Sequence, residues 1–323
     1  MSLKDDLQTI FKDTIKVENN FIFQKSNSDK KNQEQTNLCF SEKWTKVSTS
    51  EGELESMENF QKSWFLSLYG FHDEKDLASY LSKKKYIVDA GCGLGYKTAW
   101  LASLAPDSLV IGVDYSEAAV LAAKKYSHLS NCLFVQGDIA NTGFRSNSID
   151  FLLCDQVIMH TENPELTFKH LSEVTKSGGE FACYVYAKKA LPRELLDDYF
   201  REETHNIKSD DLWKMSEQLT KLGQLLSELN QTIEVPDIPL LGIKGGKYDI
   251  QRFIYWNFLK CFYRPDWTTG MCDSTNFDWY SPSNAKRFNE SEFKDLITAN
   301  NLNVTHFHAE EACYSGRFTK VSM

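Results

Sequence analysis

The stretch Tyr86–Trp100, YIVDAGCGLGYKTAW, constrains this chain of 323 residues more than any other. Tyr86, Ile87 and Val88 read as a strand buried on both faces. Asp89 closes the strand, and Gly91, Gly93 and Gly95 make a tight turn. Lys97–Ala105 is predicted as the helix that follows. Strand, glycine turn and helix form the nucleotide-binding corner of a doubly wound sheet. The glycines admit backbone close to a ligand, and the helix start offers free N–H groups. The dinucleotide fingerprint spaces its glycines G-x-G-x-x-G, and here the third comes one residue early. A carboxylate at Asp89 repels a diphosphate but attracts a ligand that carries an ammonium and a sulfonium.

The alternation continues. A second strand, Leu109–Val113, ends at Asp114, which lies 23 residues after Gly91. That is near the spacing at which an acidic residue accepts hydrogen bonds from ribose hydroxyls. Tyr115 follows, and Ser116 is predicted to cap a helix over Glu117–Tyr126. A third strand, Cys132–Gln136, leads to Gly137-Asp138-Ile139. The fourth, Ile149–Cys154, ends at Asp155-Gln156, and strand ends of this kind face the ligand crevice. A helix is predicted from Pro164, capped by Asn163, to Lys176, and a fifth strand over Glu180–Tyr186. The closing elements come much later: a helix over Ser291–Asn300 and strands at Leu302–His308 and Arg317–Val321. This pattern sets the α/β class. The expected fold is a doubly wound, Rossmann-like sheet of seven strands, with a mainly helical insertion between the fifth strand and the closing hairpin.

Val88–Gly95, together with GVDYS at Gly112–Ser116 and the residues that end strands three and four, resembles the class I S-adenosylmethionine-dependent methyltransferases. More narrowly it resembles the type 11, UbiE-like group with a long substrate-side insertion. The match runs in order from Tyr86 to Tyr186. It implies S-adenosylmethionine as cofactor, held by Asp89, Ala90, Gly91, Gly93, Asp114, Tyr115, Gly137, Asp138, Ile139, Asp155 and Gln156. Asp114 then meets the ribose, Asp138 the adenine amine, Ile139 the adenine ring, and Asp155 the methionine part. It also implies in-line methyl transfer to an acceptor. Met159-His160 stands where such proteins often carry a histidine pair, and His160 is the candidate base and a substrate contact. No Asn-Pro-Pro-Tyr type motif follows the fourth strand, which disfavours amino methylation of DNA bases or glutamine.

Residues 187–290 are too long for a loop and must carry their own structure. Helices are expected over Pro192–Thr204, from about Asp211 onward, and over Tyr248–Tyr263. Leu212, Met215, Leu219, Leu222, Leu226 and Leu229 follow a three-four spacing. They form either a homodimer seam or a face packed within the chain. Val235–Gly246 reads as an apolar loop, and NFDWYSP, Asn276–Pro282, as an exposed aromatic loop. Tyr199, His205, Tyr248, Trp279 and Tyr280 are candidate substrate contacts. The expected domains are 1–75, an N-terminal extension with a lid helix built on Phe60, Trp64 and Leu68; 76–186, the cofactor core; 187–290, the substrate-side insertion; and 291–323, the closing elements. Ser26–Asn37 reads as loop or disorder, and Phe21–Phe23 as a short strand or hook.

Net charge is −9, which opposes a broad grip on nucleic acid. No run of about 18 apolar residues or signal-type N-terminus is seen, so a cytoplasmic protein with no membrane span is expected. Eight cysteines form no C-x-x-C pair and read as reduced thiols, and His306 and His308 as structural residues, so no metal is expected. The acidic charge and aromatic insertion favour a small-molecule acceptor such as a sugar or lipid. The alternatives are methylation of RNA or protein, a non-catalytic cofactor-binding protein, and a nicotinamide dehydrogenase, which Asp89 and the glycine spacing oppose.

Overall fold

The computed structural model describes residues 7–24, 31–47, 51–204 and 206–321. In chain order the strands are β1 (Phe21–Phe23), β2 (Tyr86–Ala90), β3 (Leu109–Asp114), β4 (Cys132–Gln136), β5 (Ile149–Cys154), β6 (Thr175–Ala187), β7 (Thr232–Val235), β8 (Gly246–Asp249), β9 (Arg287–Phe288), β10 (Leu302–Ala309) and β11 (Cys313–Lys320). The chain divides into two compact units. The first comprises residues 1–30, 58–187 and 286–323, and the second 31–57 and 188–285. The extension before β2 therefore contributes to both. Among the described residues no helix is long and apolar enough to cross a membrane.

The first unit is one sheet of nine strands, in the order β1-β4-β3-β2-β5-β6-β11-β10, with β9 also paired to β6. β1 to β6 and β9 run parallel, and β11 joins antiparallel to β6. The seven expected strands are all present. The two extra ones are short: Phe21–Phe23 pairs with Phe134–Gln136, and Arg287–Phe288 with Tyr186–Ala187. Side chains alternate across the sheet, as a doubly covered parallel sheet requires. Val88, Ala90, Ile111, Val113 and Leu152 fill one core layer, and Ile87, Val110, Phe134, Phe151 and Leu153 fill the other. The helix Tyr96–Leu104 starts one residue earlier than expected. The helix Pro164–Val174 is capped by Asn163, whose side chain accepts from Leu166 N. It ends before Lys176, because β6 begins at Thr175. The closing helix, Glu290–Ala299, opens on a capping box between Asn289 and Glu292.

The second unit holds the helices Lys31–Val47, Leu191–Thr204, Ser209–Glu228, Ile250–Asn257 and Thr269–Tyr280, and the hairpin β7–β8. Four local expectations are corrected here. Lys31–Asn37 is helical; residues 26–30 lie outside the described residues. The helix expected over Tyr248–Tyr263 spans only Ile250–Asn257: Tyr248 and Asp249 are taken into β8, and residues 258–263 are not helical. The expected loop at Asn276–Pro282 is largely the end of a helix, with Asn276, Phe277, Trp279 and Tyr280 buried. Its polar groups explain this: the Asn276 side-chain amide donates to Thr220 Oγ1 (3.0 Å) and Phe262 O (3.1 Å), and its Oδ1 accepts from Phe262 N (2.7 Å). Lastly, the buried face of Ser209–Glu228 is Leu212, Trp213, Ser216, Thr220 and Gly223, while Leu222 and Leu229 are exposed. Small residues there let backbone approach, and Trp213 stacks on Phe277 at 4.1 Å.

Gly223 tests that close approach. A Cβ at this position would overlap the backbone oxygen of Cys261, and Tyr263 Cβ would stand 3.0 Å away. Gly223→Ala gains about 1 kcal/mol of helix propensity. Overpacking against a carbonyl that cannot rotate aside costs about 1–3 kcal/mol. A lower urea midpoint is expected, and a higher one would show that the 261–263 segment yields.

Candidate functional site

The C-terminal ends of β2, β3, β4 and β5 carry the predicted cofactor residues, all in the first unit. The turn after β2 has Gly91 at φ 91°, Gly93 at 52° and Gly95 at 78°, values that favour glycine. Gly91 is also sterically fixed, since a Cβ there would overlap Val157 beyond β5. Gly91 N and Cys92 N both donate to Val113 O, at 2.7 and 3.0 Å, which draws the turn over the end of β3.

Asp114 locks this arrangement. Its Oδ2 accepts from Gly93 N (2.8 Å), and its Oδ1 from Ser116 N (2.9 Å) and Ser116 Oγ (2.6 Å). Burial raises its pKa, and the Ser116 and Gly93 bonds oppose that rise. A carboxylate offers about four acceptor sites, so three internal bonds leave about one for a ligand. Accepting from two ribose hydroxyls requires the Ser116 hydroxyl to turn away.

Asp89 is buried within β2, and its Oδ2 accepts from Thr98 Oγ1 at 2.7 Å. Burial pushes its pKa up to about 6, while Lys97 and Thr98 pull it down. Asp89 thus ties the strand to the helix Tyr96–Leu104.

Asp155, also buried, accepts as many bonds as Asp114. Lys97 Nζ pairs with its Oδ2, Tyr69 OH donates to Oδ1 (2.7 Å), and Gln156 Nε2 lies 3.2 Å from Oδ2. Gln156 has φ 63° and also donates to Gln61 Oε1 at 2.8 Å. Burial alone lowers the pKa of Lys97, but Asp155, Tyr96 and Asp89 outweigh it and the net shift is upward. The ammonium of Lys97 therefore stays charged against Asp155.

Beyond β4, Asp138 Oδ1 accepts from Ala140 N (2.8 Å) and caps the short turn Ile139–Asn141. Ile139 is buried, and Gly137 N donates to Asp114 O at 2.9 Å. Ala90 is buried at the end of β2, and Tyr115 is half-buried after Asp114. His160, buried in the turn Ile158–His160, places Nε2 3.3 Å from Tyr186 OH, edge-on to the Tyr186 ring. Tyr186 in turn meets Tyr184 edge-on.

The candidate substrate residues of the second unit do not form one cluster. Trp279 and Tyr280 are buried near Arg201 and Asp197: Arg201 Nη2 donates to Trp279 O (2.8 Å), and Tyr280 OH lies 3.3 Å from Asp197 Oδ1. Tyr199 is on the exposed face of its helix, and Tyr248 OH donates to Lys244 O (2.8 Å). His205 lies outside the described residues.

Sequence reading missed Lys97, Tyr69 and Gln61. Lys97 carried a signal: a cation in the first turn of a helix, two residues past the last glycine, is misplaced for the helix dipole and needs a carboxylate partner. Of the two alternating histidines, His308 has Nε2 3.3 Å from Glu310 Oε2 in a group with Cys313, and His306 packs over Gly70. All eight cysteines are free and buried.

Residues 81–230 match the family described as methyltransferase domain. An uncharacterised methyltransferase of Schizosaccharomyces pombe is 31% identical over 33% of this chain and 42% of its own. A trans-aconitate 2-methyltransferase of Deinococcus radiodurans is 35% identical over 35% of this chain and 43% of its own. A ubiquinone biosynthesis O-methyltransferase of Coxiella burnetii is 25% identical over 56% of this chain and 77% of its own. The chain thus spans less than half the length of the first two curated relatives. The match to the methyltransferase-domain family covers the strand–turn–helix corner and the acidic strand ends, and it spans residues 81–230, a little under half of the chain.

Proposed function

We propose that this chain transfers the methyl group of S-adenosylmethionine to a small-molecule acceptor. The observation that carries the reading is the set of four carboxylates, Asp89, Asp114, Asp138 and Asp155, at or just beyond the ends of β2 to β5 around a glycine turn. Such a rim repels a diphosphate and suits a ligand that presents an ammonium, a sulfonium, ribose hydroxyls and an adenine amine. In this reading Ala90, Gly91, Gly93, Tyr115, Gly137, Ile139 and Gln156 shape the same site. Held there, S-adenosylmethionine would supply an activated methyl group for in-line transfer to the acceptor. An oxygen or nitrogen acceptor also loses a proton, and His160, its ring held by Tyr186, receives it. The relatives named for trans-aconitate and ubiquinone biosynthesis support a small acceptor.

The test is incubation of the purified protein and a cell extract with methyl-tritiated S-adenosylmethionine. Label is expected in the small-molecule fraction; label confined to protein or RNA overturns the choice of acceptor. Once an acceptor is in hand, His160→Ala is expected to lower kcat about 10²–10⁴-fold with little change in cofactor affinity. An unchanged kcat removes His160 from the mechanism.

A further inference from the structure

In the second unit the helix Leu191–Thr204 has its polarity reversed. Leu195 and Tyr199 face solvent, 63% and 58% exposed, while Arg193, Asp197, Arg201 and Thr204 are buried. Among the described residues of this unit four cations are more than nine-tenths buried: Lys43, Arg193, Arg201 and Lys260. Three of them have a carboxylate: Lys43 pairs with Asp278, Arg193 Nε with Asp197 Oδ2 (2.8 Å), and Arg201 Nη1 with Asp198 Oδ1 (3.8 Å).

Lys260 is the exception. Among the described residues no carboxylate stands within 4.0 Å of its ammonium. Its Nζ lies 4.5 Å from the centre of the Trp279 ring, and the same ring faces the guanidinium carbons of Arg193 at 5.2 Å and Arg201 at 5.9 Å. Three cations thus converge on one indole, and Asp197 is the one fully buried carboxylate of the cluster. An ammonium buried without a counter-charge is costly, and the strain shows. Burial first, then Arg193 and Lys189, bring Lys260 down to about 7, against the opposing pull of Asp278 and Asp197. The backbone N–H of Lys260 is satisfied by Tyr280 OH at 3.2 Å, so the segment is fixed in place.

We propose that Lys260, Arg193, Arg201 and Trp279 form a binding site for the anionic oxygen group, carboxylate or phosphate, of a small molecule. Arg193 gives its Nε to Asp197 and its Nη1 to Tyr255 O, and Arg201 gives its Nη2 to Trp279 O. The two arginines therefore act mainly as fixed charges. The three ammonium hydrogens of Lys260 are the donors that meet the anion. Nothing in this site depends on methyl transfer, so it stands or falls apart from the proposed reaction.

The test is calorimetric titration of the full chain with citrate and with inorganic phosphate. It is run at about pH 6 and about pH 8, each in two buffers of different ionisation enthalpy, so that proton uptake is read directly. An anion favours the charged amine. Binding at the higher pH should therefore take up close to one proton, and at the lower pH much less, since Lys260 is already charged there. Lys260→Met should weaken binding at least about 10-fold and abolish the uptake. Lys260→Arg stays charged throughout, and should bind at both pH values without uptake, which carries the test if the methionine variant fails to fold. Binding of citrate alone or phosphate alone supports the site and names the group it takes. Absence of binding by both anions, or equal affinity and uptake in the variants, overturns it.

Discussion

Lys97→Met is expected to lower the stability of the protein by about 3–5 kcal/mol near neutral pH, the cost of leaving a buried charge without its partner. The loss should be much smaller at about pH 5. The side chains of Lys97 and Asp155 are 12% and 2% exposed, so solvent screens the pair little. Removing the ammonium leaves Asp155 and Asp89 as buried carboxylates with no cation between them. Asp89 already has its pKa raised to about 6, from 3.8 for the free group. A carboxyl raised in the folded state binds more protons folded than unfolded. Stability therefore falls as pH rises from about 4 to about 6, and the penalty is complete above that window. In the variant the downward pull of Lys97 on Asp89 is gone, so the Asp89 carboxyl moves further up, the loss deepens and its window extends toward neutrality. Urea unfolding at the two pH values measures it. Equal losses at both would show that packing of the lysine stem, and not its charge, is what matters. A second readout follows from the proposed reaction. The methionine ammonium of the cofactor replaces the missing cation, so saturating S-adenosylmethionine should stabilise Lys97→Met more than it stabilises the parent protein.

The Lys97–Asp155 pair also marks where sequence reading stops. The glycine turn, the strand ends and the alternation of strand and helix are local patterns, each contained within about 15 residues, and local patterns are what periodicity reports. The partner of Lys97 is 58 residues further along the chain, and no local pattern names it. β9, of two residues, is too short to show a period, and β1, of three, is legible only as a short strand or hook. They are strands because β4 and β6 offer open ladders at those places.

The insertion resisted reading for a different reason. Two of its helices bury faces that hydrophobicity does not predict. On Ser209–Glu228 the leucine spacing competes with a row of small residues one position away, and the small row is buried because Cys261 and Tyr263 approach Gly223 closely. On Leu191–Thr204 three of the four buried residues are charged, and Asp197, Tyr255 O and Trp279 O accept from the two arginines. A pattern of apolar residues locates a core only where the core is apolar, and part of this unit is held by ion pairs and amide bonds instead.

Asp114→Ala is expected to weaken S-adenosylmethionine binding about 100-fold or more, because a hydrogen bond to a charged group is worth about 1.5–3 kcal/mol and more than one is lost. One loss is direct, the contact with the ribose in the proposed complex. The other is internal: Gly93 N and the Ser116 N–H and hydroxyl lose their common acceptor, and the turn after β2 keeps only its backbone bonds to Val113 O at the end of β3. Asp114→Asn separates charge from shape. Its amide nitrogen must face either Gly93 N–H or the two Ser116 donors, so a donor meets a donor whichever way the group turns. Asparagine is therefore expected to fare little better than alanine, although its volume matches aspartate. Calorimetric titration with S-adenosylmethionine and S-adenosylhomocysteine, with circular dichroism to confirm the fold, measures both variants. Tight binding by the asparagine variant would mean that the turn is held without the carboxylate, and that Asp114 serves the ribose alone. Weak binding by both, with the fold intact, makes the carboxylate an organiser of the turn as well as a ligand, and so explains why three of its four acceptor sites are spent inside the protein.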